Sequence, residues 1–189
     1  MSHKRLSNII GFDDAPFPRN HQGSVKVVGA VFADLRFDGV VIGEIEKDGF
    51  DAAEKLEKLI SVSKFREHVQ LIMLQGITFG GFNVVDVFYL NSRLALPVLV
   101  VSRKRPDLGS IEKALISHIP EGKKKWALID KLGPMEPVGK VHVQRAGLTL
   151  HQAASVIERF AIHSRIPEPL RAAHLIAGAI AEGQSRGNP

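Results

Sequence analysis

Asn8-Ile9-Ile10-Gly11-Phe12-Asp13-Asp14-Ala15-Pro16-Phe17 is a short apolar run that delivers two adjacent carboxylates just before a proline-bearing turn. Such a run reads as the first strand of a sheet, ending at Asp13 or Asp14. Alternation along a strand puts Asp13 and Asp14 on opposite faces, so at most one can point into a site above the strand while the other caps or braces the turn. An Asp at a strand end is a common way for an α/β nuclease to hold a divalent metal. It is equally an ordinary strand terminator, because Asp hydrogen-bonds nearby backbone in turns.

Outward from this strand, Val25 to Phe32 and Val40 to Glu46 read as two further strands, with Asp34-Leu35-Arg36-Phe37-Asp38-Gly39 turning the chain between them as an antiparallel hairpin. The period then changes. Asp51 is a candidate N-cap with Glu54 three residues on, as in a capping box, and Ala52, Leu56, Leu59 and Ile60 recur at helical spacing. Val69 to Leu74 is a short apolar strand, 82–93 a helix apolar around its circumference, and Pro97 to Ser102 a strand with Pro where a missing donor costs least. The pattern predicts a helix over 108–119, a strand at Trp126-Ala127-Leu128-Ile129, a rigid turn at 133–137 and a strand over 138–143. Thr149 caps a helix striped by Leu150, Ala154, Ile157 and Ala161. Ile166-Pro167-Glu168-Pro169 breaks it, and Leu170, Ala173, Ala177 and Ile180 stripe a last helix expected to pack closely against the one before. With no internal repeat and no long linker, the expectation is one mixed-sheet α/β domain over 1–189, with 183–189 a flexible tail.

Composition narrows the function classes. The balance of 44% hydrophobic and 24% charged residues excludes a largely disordered chain. No apolar run approaches bilayer length, and Met1-Ser2-His3-Lys4-Arg5 is not followed by a secretory segment, so a cytoplasmic protein is expected. The absence of cysteine excludes disulfides, thiolate nucleophiles, zinc ribbons and iron–sulfur ligation, leaving carboxylate or histidine sites. A net charge of +5 permits a nucleic-acid partner, and Arg103-Lys104-Arg105 and Lys123-Lys124-Lys125 could form a phosphate footprint beside predicted strands.

Three features carry chemistry. Asp13, Asp14, Glu54 and Asp86 are carboxylates near element ends around one sheet, the raw material of a two-metal site with ions roughly 3.5–4 Å apart. Glu54, however, points away from its helix's apolar stripe, and Asp86 inside an apolar helix must be paired, braced to Tyr89, Arg93 or a backbone amide, or metal-bound. The loop Gln75-Gly76-Ile77-Thr78-Phe79-Gly80-Gly81, followed by Asn83, could bring backbone donors to a phosphate, although it matches neither nucleotide fingerprint and its glycines also serve tight backbone geometry. Ser102-Arg103-Lys104 emerges from a buried strand, where a cation can meet a phosphate. The histidines show no metal spacing, and His118, His151, His163 and His174 read as helix-end or packing residues.

The segments around Ile9 to Phe17, Asp48 to Glu54, Leu74 to Asp86 and Pro97 to Lys104, in that order, resemble the signatures of a small archaeal family of formerly unknown function, described as deoxyuridine-directed endonucleases. That family is similar to endonuclease V, and Arg165 to His174 resembles the C-terminal pattern of endonuclease V. The resemblance covers nearly the whole chain and implies a ribonuclease-H-like α/β fold, with a mixed central sheet flanked by helices.

What it implies for chemistry is a magnesium-dependent endonuclease, with manganese as an alternative ion, acting on DNA near a deaminated base such as uracil. Asp13 and Glu54 would hold metal, with Arg103 or Lys104 positioning the phosphodiester. Gln75 stands where endonuclease V has its second metal-binding Asp, so Asp14 or Asp86 would have to replace it, and the histidine-proline-arginine segment that follows there is absent. The alternatives are a nucleic-acid-binding module of the same fold without catalysis, and a phosphohydrolase or phosphotransfer enzyme on a small substrate.

Overall fold

The structure is a computed structural model and describes residues 5–185. Strands β1 (Asn8–Asp14), β2 (Ser24–Ala33), β3 (Arg36–Glu46), β4 (Leu71–Gln75), β7 (Val98–Ser102), β8 (Glu136–Val138) and β9 (Val141–Ala146) form one mixed sheet in the order β3-β2-β1-β4-β7-β9-β8. β1, β2 and β3 make the expected antiparallel meander. β4 and β7 run parallel to β1, and β9 and β8 return antiparallel. A small hairpin, β5 (Thr78–Phe79) with β6 (Asn83–Val84), stands apart from the sheet. Among the described residues, six helices complete the domain: α1 (Ala52–Ser61), α2 (Val87–Leu94), α3 (Leu108–His118), α4 (Gly122–Leu132), α5 (Leu150–Phe160) and α6 (Glu168–Glu182). None of the described helices is long and apolar enough to cross a membrane.

The central strands are apolar on both faces because both are covered. On one face Ile10, Phe12, Ile72, Leu74 and Val100 pack with Leu56 and Ile60 of α1, Leu90 and Leu94 of α2, Leu115 of α3 and Ile129 of α4. On the other, Ile9, Met73, Leu99 and Val101 meet Ala153 and Phe160 of α5 and Leu170, Ala173 and Ala177 of α6. The small-residue stripe of α6 serves contact with the sheet, chiefly β1 and β2, rather than with α5. A Cβ on Gly11 would stand 2.6 Å from the backbone carbon of Pro169, so the bare glycine lets the start of α6 lie directly on β1.

Several elements differ from their expected form for physical reasons. The β2–β3 chain reversal is at Asp34-Leu35, with Asp34 at φ 57°, while the expected Asp38-Gly39 turn is a register shift inside a longer β3. Trp126 to Ile129 lies in a helix. An apolar run of that length carries no period of its own, and in α4 it is the i, i+4 pair Lys125 and Ile129 that is buried. The stretch 82–93 divides into β6 and α2, with Asp86 as the N-cap whose Oδ1 accepts from Tyr89 N at 2.9 Å. The strand expected over 138–143 is a hairpin of β8 and β9 around Gly139, at φ 57°. Thr149 caps α5 in a full capping box with Gln152, but the buried row is Ala153, Val156, Ile157 and Phe160, leaving Leu150 exposed. The last helix begins at Glu168, because Pro169 suits its first turn. Of the tail, Gly183 caps α6 at φ 78°, and 186–189 lie outside the described residues.

Candidate functional site

β1, β4 and β7 point their C-terminal ends to one rim of the sheet, and the site is built there. Asp13 is buried at 5% exposure. Its Oδ1 accepts from Asp14 N at 3.0 Å, and His174 Nδ1 of α6 donates to its Oδ2 at 2.8 Å. Burial holds the Asp13 carboxyl above its ordinary range, against the pull of His174. The hydrogen bond to Asp13 raises the His174 imidazole in turn, with Arg103 opposing. The short contact therefore couples the ionisation of the two groups.

His174 is the residue whose role the sequence reading missed. A usable signal was present: Leu170, His174 and Gly178 form an i, i+4 row beside the apolar stripe of α6, so the imidazole had to meet the sheet. The bond to Nδ1 fixes the ring and leaves Nε2 as the other nitrogen of a side chain 35% exposed.

Asp14 takes the opposite face, as alternation requires. Its Oδ2 accepts from Gly80 N at 2.8 Å, and burial, followed by repulsion from Asp13, pushes it up to about 7. Asp13, Asp14 and His174 line a cavity of about 430 Å³ with Ala15, Phe17 and Glu182.

Gln75 ends β4, one step beyond the paired positions Phe12 and Leu74, which sets it beside Asp13. By alternation it follows Leu71 and Met73 onto the face that Asp13 and His174 share. Its Oε1 is buried and has no hydrogen-bond partner. Arg103 leaves the end of β7 near enough to His174 to act on its charge. Lys104 is exposed, and its carbonyl accepts from Ser102 Oγ at 2.7 Å.

Other sequence candidates lie elsewhere. Glu54 and Asp86 line a separate pocket with Phe50, Ala53, Val84, Tyr89, Lys124 and Leu128, so the four carboxylates are divided into two pairs. Among the described residues, no three Asp, Glu or His side chains are grouped to hold a metal ion. The glycine-bearing loop is not a phosphate cradle at a helix start. Gly76 N donates to Val101 O, Thr78 belongs to the β5–β6 hairpin, and Gly80 donates to Asp14, while Asp86 already caps α2. Asp51 does not cap α1 with its side chain. Buried Asn83 does so instead, its Oδ1 accepting from Ala52 N at 3.0 Å while its Nδ2 donates to Asp51 Oδ1 and Glu46 O. The Lys123–Lys125 run gives no continuous phosphate footprint, because Lys125 is buried and Lys124 pairs with Glu121 at 2.6 Å.

The donor set can be weighed against the magnesium that the resemblance implies. A hard cation takes one or two carboxylates, other oxygens and water. By register and alternation Gln75 falls on the strand beside Asp13 and on its face, and its orphaned Oε1 with the Asp13 carboxylate are oxygen donors of the kind a single such ion takes. They do not by themselves fit two.

Comparison with known proteins agrees with this architecture. A family model described as endonuclease dU matches residues 5–181. A UPF0215 protein of Deinococcus radiodurans is 48% identical over 186 residues, covering 98% of this chain and 95% of its own. A UPF0215 protein of Methanothermobacter thermautotrophicus is 40% identical over 184 residues, covering 95% and 90%. Among solved structures, a protein of unknown function from Archaeoglobus fulgidus superposes with a TM-score of 0.86 at 34% identity, over 92% of this chain and 98% of the other. Endonuclease V of Ciona intestinalis, solved with a 24mer DNA containing an inosine followed by a ribo-adenosine, gives 0.58 at 15% identity, over 92% and 85%. That likeness is one of fold, the ribonuclease-H-like arrangement.

Proposed function

The chain belongs to the endonuclease dU family, and on that premise we propose that it is a divalent-metal-dependent enzyme hydrolysing a phosphodiester of DNA close to a deaminated base, uracil first. Family and fold together support a DNA endonuclease. The observation that carries the chemical assignment is the convergence, on one rim, of the Asp13–His174 pair with the unpartnered oxygen of Gln75.

In this reading Asp13 and Gln75 Oε1 would hold magnesium or manganese. Bound there, the ion supplies Lewis-acid stabilisation of the charge that develops on the phosphoryl oxygens. The chain's own residues do the rest. Asp13 orients His174 through Nδ1, and His174 Nε2 passes a proton to or from the reacting oxygens facing the cavity. Arg103 carries positive charge on the same rim and steadies a phosphate. Asp14, anchored to the Gly80 amide, fixes the end of β1 from its other face.

The separation of Glu54 and Asp86 from Asp13, with a neutral residue at Gln75, favours a second reading, a nucleic-acid-binding module without catalysis. One experiment divides the two. Protein with magnesium or manganese is incubated with duplexes containing uracil, hypoxanthine or no lesion, and nicking is followed on a gel. Uracil-dependent nicking that D13N abolishes, with the fold intact by circular dichroism, is the expected result. Binding of the duplexes with no nicking of any would replace the enzyme by the module.

A further inference from the structure

Lys125 is the third lysine of the run Lys123-Lys124-Lys125, and unlike its two exposed neighbours it is only 1% exposed. Lysine is almost never fully buried unless it is paired. Here Nζ donates to the backbone carbonyl of Asp48 at 2.6 Å and stands 5.9 Å from the centre of the Phe50 ring. Asp48 holds φ at 53°, a left-handed conformation that a non-glycine residue adopts only when its surroundings impose it.

From Asp48 the contacts lead into the site. Asp48 N donates to Gly80 O at 2.8 Å, Asp48 Oδ1 accepts from Phe82 N at 2.8 Å, and Gly80 N donates to Asp14 Oδ2 at 2.8 Å. Gly81, at φ 86°, has no room for a Cβ against the Asp48 carboxylate, so the two turns are in direct contact. The Lys125 side chain thus links α4, packed against α3, to the turn between β3 and α1, and that turn to the β5–β6 hairpin.

We propose that Lys125 is a positioning residue: from α4 it clamps the Asp48 turn and so keeps the Gly80 amide on Asp14. The clamp stands on these contacts alone. Its effect on strand cleavage rests on the endonuclease reading.

The full chain carrying K125M tests it, since Met fills a similar volume without the donor. Amide hydrogen exchange at Gly80, measured by NMR relative to Met73 in β4, is expected to rise about tenfold or more, as for a locally released loop. K125R, which keeps a charged donor, is expected to recover part of that protection. On a uracil duplex K125M should lose roughly tenfold in kcat with KM little changed, the signature of a misplaced group rather than lost binding. Unchanged exchange at Gly80 in K125M would overturn the proposal. Should K125M fail to fold, K125Q, whose shorter neutral side chain does not reach the Asp48 carbonyl as lysine does, takes its place with the same readout: faster exchange at Gly80 is expected, and unchanged exchange there would overturn the clamp. Lost Gly80 protection in K125M, alongside a wild type that nicks no duplex, would keep the clamp and discard the endonuclease reading.

Discussion

His174 and Asp13 lie 161 residues apart in sequence and 2.8 Å apart in space, the helix that closes the chain reaching the strand that opens it. The contact gives the buried carboxylate a fixed partner and gives the imidazole one defined nitrogen to present.

If that nitrogen moves a proton, H174A should slow single-turnover nicking of a uracil duplex by about 10²–10⁴-fold, the usual worth of a positioned acid or base. Because it also leaves the buried Asp13 carboxyl without its side-chain partner, it should cost about 1–3 kcal/mol of stability while the fold stays intact. A rate within threefold of wild type would remove His174 from the chemistry.

Gln75 offers a gain rather than a loss. In Q75E a second carboxylate would stand beside Asp13, where metal-free repulsion and burial should lower Tm by several degrees, about 1–3 kcal/mol. Magnesium should restore it, and calorimetry should show tighter divalent binding than wild type. No change in ion affinity would place the metal away from Gln75.

Asp14 sets a pH dependence whose sign is unusual for an aspartate. Its folded value is raised, from about 4 in the unfolded chain to about 7. Between those values the unfolded state ionises while the folded one stays neutral, so metal-free stability is complete below the lower value and is lost as pH rises towards the upper one. Thermal melts across pH 4 to 8 should show that fall, and D14N, which can still accept from Gly80, should flatten it. Identical slopes in the two proteins would assign the effect elsewhere.

Gly11 should tolerate no side chain. A methyl group there meets the Pro169 backbone at 2.6 Å, and backbone cannot step aside as a side-chain tip can. G11A should cost about 1–3 kcal/mol in urea unfolding and should weaken the Asp13–His174 contact, so that nicking falls further than stability does.

Much of the fold was legible because local pattern and final environment agree. The short apolar run of β1, the meander, the Pro-led β7 and the Thr149 cap carry their reasons within a few residues. Trp126 to Ile129 was not legible, since a short apolar run has the same composition in a strand as in a helix, and the buried lysine that makes α4 amphipathic looks like surface until its acceptor is known. The candidate site divides in the same way. The carboxylates of Asp13 and Asp14, and their opposite directions, follow from alternation. Asp51 reads locally as the cap of α1 and Asp86 as a carboxylate inside a helix, yet it is Asp86 that caps a helix, while Asp51 is held by the Asn83 that caps α1 in its place. The pairing of Asp13 with His174 depends on a helix crossing the sheet from the far end of the chain, information that no local window contains.

The seat of α6 on Gly11 also has a meaning for synthesis. On the ribosome β1 emerges early and its strand neighbours soon after, yet His174 arrives only when the closing helix has been made and has docked. Until then a nascent chain would display the acidic end of β1 without its imidazole, so the Asp13–His174 pair would be completed in one step, with the docking of α6.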